Sequence, residues 1–169
     1  MKRGIPAVAL ACLLLAAGCQ REEAGEEALR LTGKIFVFNY RLAYATYLVT
    51  LAQERPQPEG STVVARFEDP AGGAPLVIER PLFPKLAKVV LESPDISCVK
   101  AERPYAVTIT VKAPDGRVVQ TLQTSVTSTL DQDVLPEKAL VVGPAYEKNP
   151  DLFRDGKAPE RFPTARCAT

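Results

Sequence analysis

The chain has 169 residues, with 21 basic and 20 acidic side chains and a formal net charge of +1. This length can build one domain with a substantial hydrophobic core. The near-neutral charge argues against a nucleic-acid-binding protein and predicts no basic patch for anionic lipid. The sequence contains no histidine. The commonest general base and metal ligand is therefore missing, so we predict no enzyme, no metal site and no cofactor.

The N-terminal segment predicts export. Lys2 and Arg3 precede an uncharged, mainly apolar run that reaches residue 18. A basic start, a short apolar run and small residues at its end are typical of a secretory signal peptide. The run is shorter than the roughly 20 residues that a membrane-spanning helix needs. We therefore predict that residues 1–18 are removed as a signal peptide.

The end of this run, LAAGC at residues 15–19, resembles the lipobox of bacterial lipoproteins. In that family the cysteine is acylated and becomes the mature N-terminus. The resemblance implies a lipid at Cys19 and attachment to the membrane of the cell envelope. Gln20 stands where an Asp retains such proteins in the inner membrane, so the resemblance favours the outer membrane. Ordinary cleavage, with Cys19 left as a thiol, and an uncleaved anchor are the alternatives.

Four cysteines occur in the chain, at positions 12, 19, 98 and 167. Cys12 lies in the predicted signal peptide, and the lipobox resemblance assigns Cys19 to the lipid. Cys98 and Cys167 then remain, and exported proteins commonly pair such cysteines. We predict a disulfide between them, with two unpaired buried cysteines as the alternative.

The mature chain divides into three predicted regions. Residues 19–30 combine the lipidated cysteine with a charged tether, which contains four glutamates. Residues 31–143 are rich in β-branched and aromatic runs separated by Pro, Gly and Asp, a pattern typical of an antiparallel sandwich. Residues 144–169 are proline-rich and predicted to be extended and pinned by the disulfide.

The predicted fold class is therefore all-β, a single immunoglobulin-like or fibronectin-like sandwich. Two prolines in PLFP, residues 81–84, indicate a linker outside regular pairing. Strands are predicted near 34–39, 43–52, 61–68, 75–80, 86–92, 105–113, 117–129 and 139–143.

The stretch around residues 40–51 allows two interpretations. Tyr40, Tyr44 and Tyr47 fall at helical spacing. The β-branched and aromatic content instead favours two strands with a bend near residues 39–41, which we prefer. These three tyrosines form the candidate binding patch, because aromatic rings can stack on sugars or anchor a protein partner. Packing in the core is the alternative role.

No other constellation predicts chemistry. Asp131 and Asp133 could contribute to a calcium site but are better explained as a solvated turn. The chain lacks a nucleophile elbow and a phosphate-binding glycine motif. We predict a non-catalytic lipoprotein that binds another envelope protein as an accessory or assembly subunit. A glycan-binding or small-ligand-binding module and a passive surface lipoprotein are the alternatives.

Overall fold

The computed structural model describes residues 27–165 and residue 167. The predicted signal peptide, Cys19 and most of the predicted tether lie outside the described residues. Within them, no helix is long and apolar enough to span a membrane. Regular structure in the same range consists of strands and two short 3₁₀ turns. The all-β prediction is therefore confirmed.

Nine strands follow one another along the described chain. Eight of the nine have at least one end within two residues of the corresponding end of a predicted strand. The interpretation of residues 44–53 as a strand is confirmed. The strands are β1 (Leu29–Asn39), β2 (Tyr44–Gln53), β3 (Thr62–Phe67), β4 (Leu76–Pro81), β5 (Lys88–Glu92), β6 (Pro104–Lys112), β7 (Val118–Thr127), β8 (Val141–Val142) and β9 (Glu147–Lys148).

Two antiparallel sheets carry the fold. One has three strands in the order β1-β2-β5, and the other has four in the order β4-β3-β6-β7. The hairpin β8-β9 forms a small third sheet. Each of the two main sheets turns one face inward, because alternate residues along a strand point to opposite faces.

The core lies between the two main sheets. In β6 the alternation is clear, with Tyr105, Val107, Ile109 and Val111 all buried. Fully burying such a side chain contributes about 1.5–3 kcal/mol. Opposite them the three-stranded sheet contributes Tyr47, Val49, Leu51, Val89 and Leu91.

The sandwich begins before residue 31, so the predicted boundary of the tether is wrong. Ala28 and Leu29 are buried, and β1 starts at Leu29. The Leu29 N–H donates to Gln120 Oε1 (2.9 Å), and Gln120 Nε2 donates to the Leu29 carbonyl (2.8 Å). The amide of Gln120 thus substitutes for a strand neighbour and joins β7 to β1 across the sandwich edge.

Replacing Gln120 by Met should lower the free energy of unfolding by about 2 kcal/mol, because each lost hydrogen bond costs about 1 kcal/mol. Denaturant unfolding of the variant measures the loss. Gln123→Met is the matched control, since Gln123 lies on the same strand but is exposed. Equal losses in both variants would contradict the role given to Gln120.

The prediction that residues 81–84 stand outside regular pairing is wrong at its first residue. Pro81 ends β4 and pairs with Thr62. Because β4 is an edge strand, the missing N–H of Pro81 removes no ladder hydrogen bond. Leu82 follows, buried, and its N–H donates to the Ser61 carbonyl (2.9 Å).

The C-terminal segment returns to the sandwich. The Glu137 N–H donates to the Pro163 carbonyl (2.7 Å), and the Ala165 N–H donates to the Leu135 carbonyl (3.0 Å). Between these contacts lie β8, β9 and a 3₁₀ turn at Arg154–Gly156.

The sandwich has two distinct ends. The proximal end is the one at which β1 starts, and it carries the loops at 54–61, 82–87 and 113–117. The distal end carries the β1–β2 turn at 40–43, the loop at 68–75 and the segment at 93–103.

Candidate functional site

The structure separates the three tyrosines of the predicted binding patch. Tyr47 is completely buried in β2, so its assignment to a binding surface is wrong. Tyr40 is 48 % exposed in the β1–β2 turn, and Tyr44 is half-buried at the start of β2. In β2 the residues at odd positions from Ala45 to Leu51 face the core, which places Tyr47 there.

Tyr47 is the centre of an aromatic cluster between the sheets. Its ring centroid lies 4.5 Å from that of Phe36 and 5.2 Å from that of Phe67, with Tyr105 at 6.4 Å. Its hydroxyl donates to the Glu68 carbonyl (2.8 Å). Burial, with a smaller contribution from the Glu68 charge, raises the pKa of Tyr47 far above that of an ordinary tyrosine. Tyr47 is therefore a neutral structural residue.

The exposed aromatic surface at the distal end is built around Arg41. Its guanidinium lies 5.6 Å from the centroid of the Tyr146 ring, which is 56 % exposed. Tyr40 immediately precedes Arg41 in the same turn. We call Tyr40, Arg41 and Tyr146 the distal aromatic surface. Tyr146 follows β8 in a segment that the sequence pattern did not connect to the β1–β2 turn.

Hydrogen bonds fix the turn that carries this surface. Asn39 Oδ1 accepts the Leu42 N–H (3.0 Å), and Asn39 Nδ2 donates to the Tyr44 hydroxyl (3.3 Å). The Leu140 N–H donates to the Arg41 carbonyl (2.8 Å), which joins the chain just before β8 to the turn. The distal aromatic surface is therefore largely ordered before any partner arrives, and this lowers the entropic cost of binding.

A cavity of about 630 Å³ also opens at the distal end. It lies beside Cys98 and Cys167 and is lined by Lys100 and Arg103, among others. Arg103 is already engaged, because it pairs with Glu68 (2.6 Å) and lies 4.5 Å from the centroid of the Tyr105 ring. The cavity can therefore offer one uncommitted cation, Lys100, among the described residues that line it.

The two cysteines adjoin this cavity. Their Cα atoms are 5.2 Å apart, within the range of roughly 4.4–6.8 Å that disulfides require. The structure bonds their sulfur atoms across a sequence separation of 69 residues, consistent with the predicted pair.

The paired aspartates of the DQD sequence have different environments. Asp131 Oδ1 accepts the Ala101 N–H (3.0 Å), so this carboxylate fixes the loop. Asp133 is exposed at the cavity rim. Between them, the Gln132 side chain donates to the Ile96 carbonyl and accepts the Val99 N–H. Across the described chain, no three His, Cys, Asp or Glu side chains cluster closely enough to hold a metal ion.

No protein-family model matches the chain, and no curated protein matches it.

Proposed function

We propose that this protein is a non-catalytic bacterial lipoprotein whose β-sandwich binds another envelope protein through the distal aromatic surface. The lipid at Cys19 would hold it in the cell envelope, on the outer membrane. Acyl chains supply the membrane affinity, since each buried CH₂ contributes about 0.8 kcal/mol. No nucleic acid enters this proposal.

The observation that carries the proposal is the exposed Tyr–Arg–Tyr group on a turn fixed by hydrogen bonds. Tyrosine and arginine are enriched among the residues that dominate binding energy at protein interfaces. The exposed Tyr146 ring 5.6 Å from the Arg41 guanidinium, with the exposed Tyr40 next to Arg41 in sequence, matches that composition.

We further propose that the sandwich is of the immunoglobulin-like class, in its fibronectin-like variant. The supporting observation is that β4 pairs with β3. In constant-type immunoglobulin domains the fourth strand instead joins the sheet of strands one, two and five. Here that sheet holds β1, β2 and β5 alone.

The test is a cross-linking search in the native envelope. We expect one stoichiometric partner for the parent chain, identified by mass spectrometry after affinity capture. Tyr40→Ser combined with Tyr146→Ser should weaken capture by about 30-fold for each tyrosine removed, because losing one interface anchor costs about 2 kcal/mol. Cys19→Ser should also reduce it by releasing the protein from the membrane.

Val90→Ser is the matched control, because Val90 is 51 % exposed on the edge strand β5, away from the distal aromatic surface. This variant should capture the partner normally. A partner that the double tyrosine variant retains in full would contradict the proposed surface, and the absence of any partner above background would contradict the proposed function.

A small-ligand or glycan-binding role is the second candidate, and the distal cavity favours it. Its volume falls within the roughly 300–1,000 Å³ that is usual for ligand pockets. Binding of cell-wall or sugar preparations that is lost in Lys100→Ser, but kept in the double tyrosine variant, would support this role over the first.

A further inference from the structure

A basic and apolar segment, RPLFPKLAK at residues 80–88, crosses the proximal end. It contains Arg80, Lys85 and Lys88 and no acidic residue. Phe83 and Leu86 are 55 % and 50 % exposed. We call this segment the proximal loop. The near-neutral net charge of the chain did not predict this local positive charge, because acidic side chains elsewhere balance these three cations.

The backbone of the proximal loop is held by the sandwich. Gln53 Nε2 donates to the carbonyls of Phe83 (3.4 Å) and Pro84 (3.2 Å). The Gln53 N–H donates to the Ala87 carbonyl (2.9 Å), and the Leu86 N–H donates to the Phe83 carbonyl (3.0 Å). Leu82, in the same segment, is buried as part of the hydrophobic core. Phe83 and Leu86 therefore project from a fixed support.

The proximal end is also where the chain leaves for its predicted lipid. Cys19 lies nine residues before Ala28, the first buried residue of the described chain. Nine extended residues reach at most about 30 Å. A lipid at Cys19 would therefore keep the proximal end within that distance of the bilayer surface.

We propose that the proximal loop docks on the anionic surface of a lipid bilayer, with Phe83 and Leu86 entering the interface and the flanking cations contacting head groups. This inference rests on the proposed lipid anchor. Aromatic and aliphatic side chains on a cationic background are the composition of interfacial membrane contacts. Val118, which is 54 % exposed, lies at the same end of the sandwich.

Because the lipid already holds the protein at the membrane, a weak contact between the proximal loop and the bilayer is enough for docking. Once the lipid is inserted, docking is an intramolecular event at an effective concentration near the millimolar range. Two apolar side chains and three cations then decide the orientation of the sandwich, while the lipid decides its attachment. Docking would hold the distal aromatic surface away from the bilayer, where a partner can reach it.

Tryptophan fluorescence offers a direct test, because the chain contains no tryptophan. Full-length, processed protein carrying Phe83→Trp is reconstituted into phosphatidylethanolamine–phosphatidylglycerol vesicles, with and without brominated acyl chains. We expect a blue-shifted emission and a loss of fluorescence in the brominated vesicles. Tyr146→Trp, at a site of nearly equal exposure at the distal end, should show neither change.

Charge reversal tests the cationic contribution. Lys85→Glu with Lys88→Glu, added to Phe83→Trp, should reduce the docked-to-undocked ratio about fivefold for each lysine removed, because a cation near an anionic bilayer contributes about that factor. The introduced glutamates would lower the ratio further. Raising the salt concentration should reduce quenching in the parent variant as well.

The possible results separate docking from anchoring. Protein that floats with the vesicles while Phe83→Trp remains unquenched would overturn docking and leave the anchor intact. Failure to float would overturn the anchor itself. A blue shift that is already present in detergent, without quenching in vesicles, would show that another part of this chain, such as the acidic tether, covers the loop, and would also overturn docking.

Discussion

Replacing Cys98 and Cys167 together by serine should lower the free energy of unfolding by about 4 kcal/mol. The cross-link closes a loop with a sequence separation of 69 residues, and the chain-entropy model gives about this value for such a loop. For a chain of this size, the expected fall in melting temperature is about 10 °C. Calorimetry of the parent and variant under non-reducing conditions measures it.

The single variants provide the control for this prediction. Cys98→Ser and Cys167→Ser should each lose as much stability as the double variant, because either one removes the same cross-link. Cys98 has a left-handed backbone, with φ of 68°, but serine carries the same Cβ, so this cost is unchanged. A reductant should lower the parent's melting temperature and leave the double variant unaffected. Parent protein that shows two free thiols when isolated from the envelope would contradict the disulfide.

Tyr47→Ala should be comparably severe, with a loss of about 3–5 kcal/mol. The substitution leaves a cavity between both sheets where Phe36, Phe67 and Tyr105 now contact the ring. Tyr47→Phe keeps the ring and removes only the hydroxyl that donates to the Glu68 carbonyl, so it should cost about 1 kcal/mol. Denaturant unfolding of the two variants separates packing from hydrogen bonding. Equal losses would contradict the packing role of the ring.

The dependence of the free energy of unfolding on pH above 10 gives an independent test of the burial of Tyr47. In the unfolded chain it ionises near pH 10, whereas burial keeps it protonated in the folded chain well beyond that pH. The unfolded state therefore releases a proton first, and stability falls as the pH rises above about 10. Tyr47→Phe should remove this contribution and flatten the decline.

The β pattern was predictable because the physical cause is local. In β6, buried apolar residues alternate with Thr108, Thr110 and Lys112, and the turn Pro114–Asp115–Gly116 favours the hairpin that joins β6 to β7. Both parities are apolar in β1 and β2, so alternation could not say which tyrosine faces the core. The register of the β1–β2 ladder determines which tyrosine faces the core, since Phe36 lies opposite Tyr47 on the inner face.

The distal aromatic surface was only partly predictable. Tyr40 belonged to the predicted patch, but Tyr146 reaches Arg41 through a contact between residues far apart in sequence. A contact between residues so far apart in sequence cannot be predicted from the periodicity of apolar residues. The proximal loop was missed for a different reason. Total charge averages over the chain, whereas a surface responds to charge within about 8 Å, the distance over which salt screens it at physiological ionic strength.

The pair of hydrogen bonds between Leu29 and Gln120 has a consequence for the protein under mechanical load. If the lipid holds one end of the molecule and a partner pulls on the other, tension runs along β1, which spans about 36 Å from the proximal to the distal end. A force along that strand acts in shear, so it loads all the hydrogen bonds of the β1–β2 ladder together and does not break them one pair at a time. The two hydrogen bonds between Leu29 and Gln120 hold the first residue of β1 against this tension. In the proposed arrangement, the end of the sandwich that the tether would hold is also the end at which these hydrogen bonds oppose its unfolding under tension.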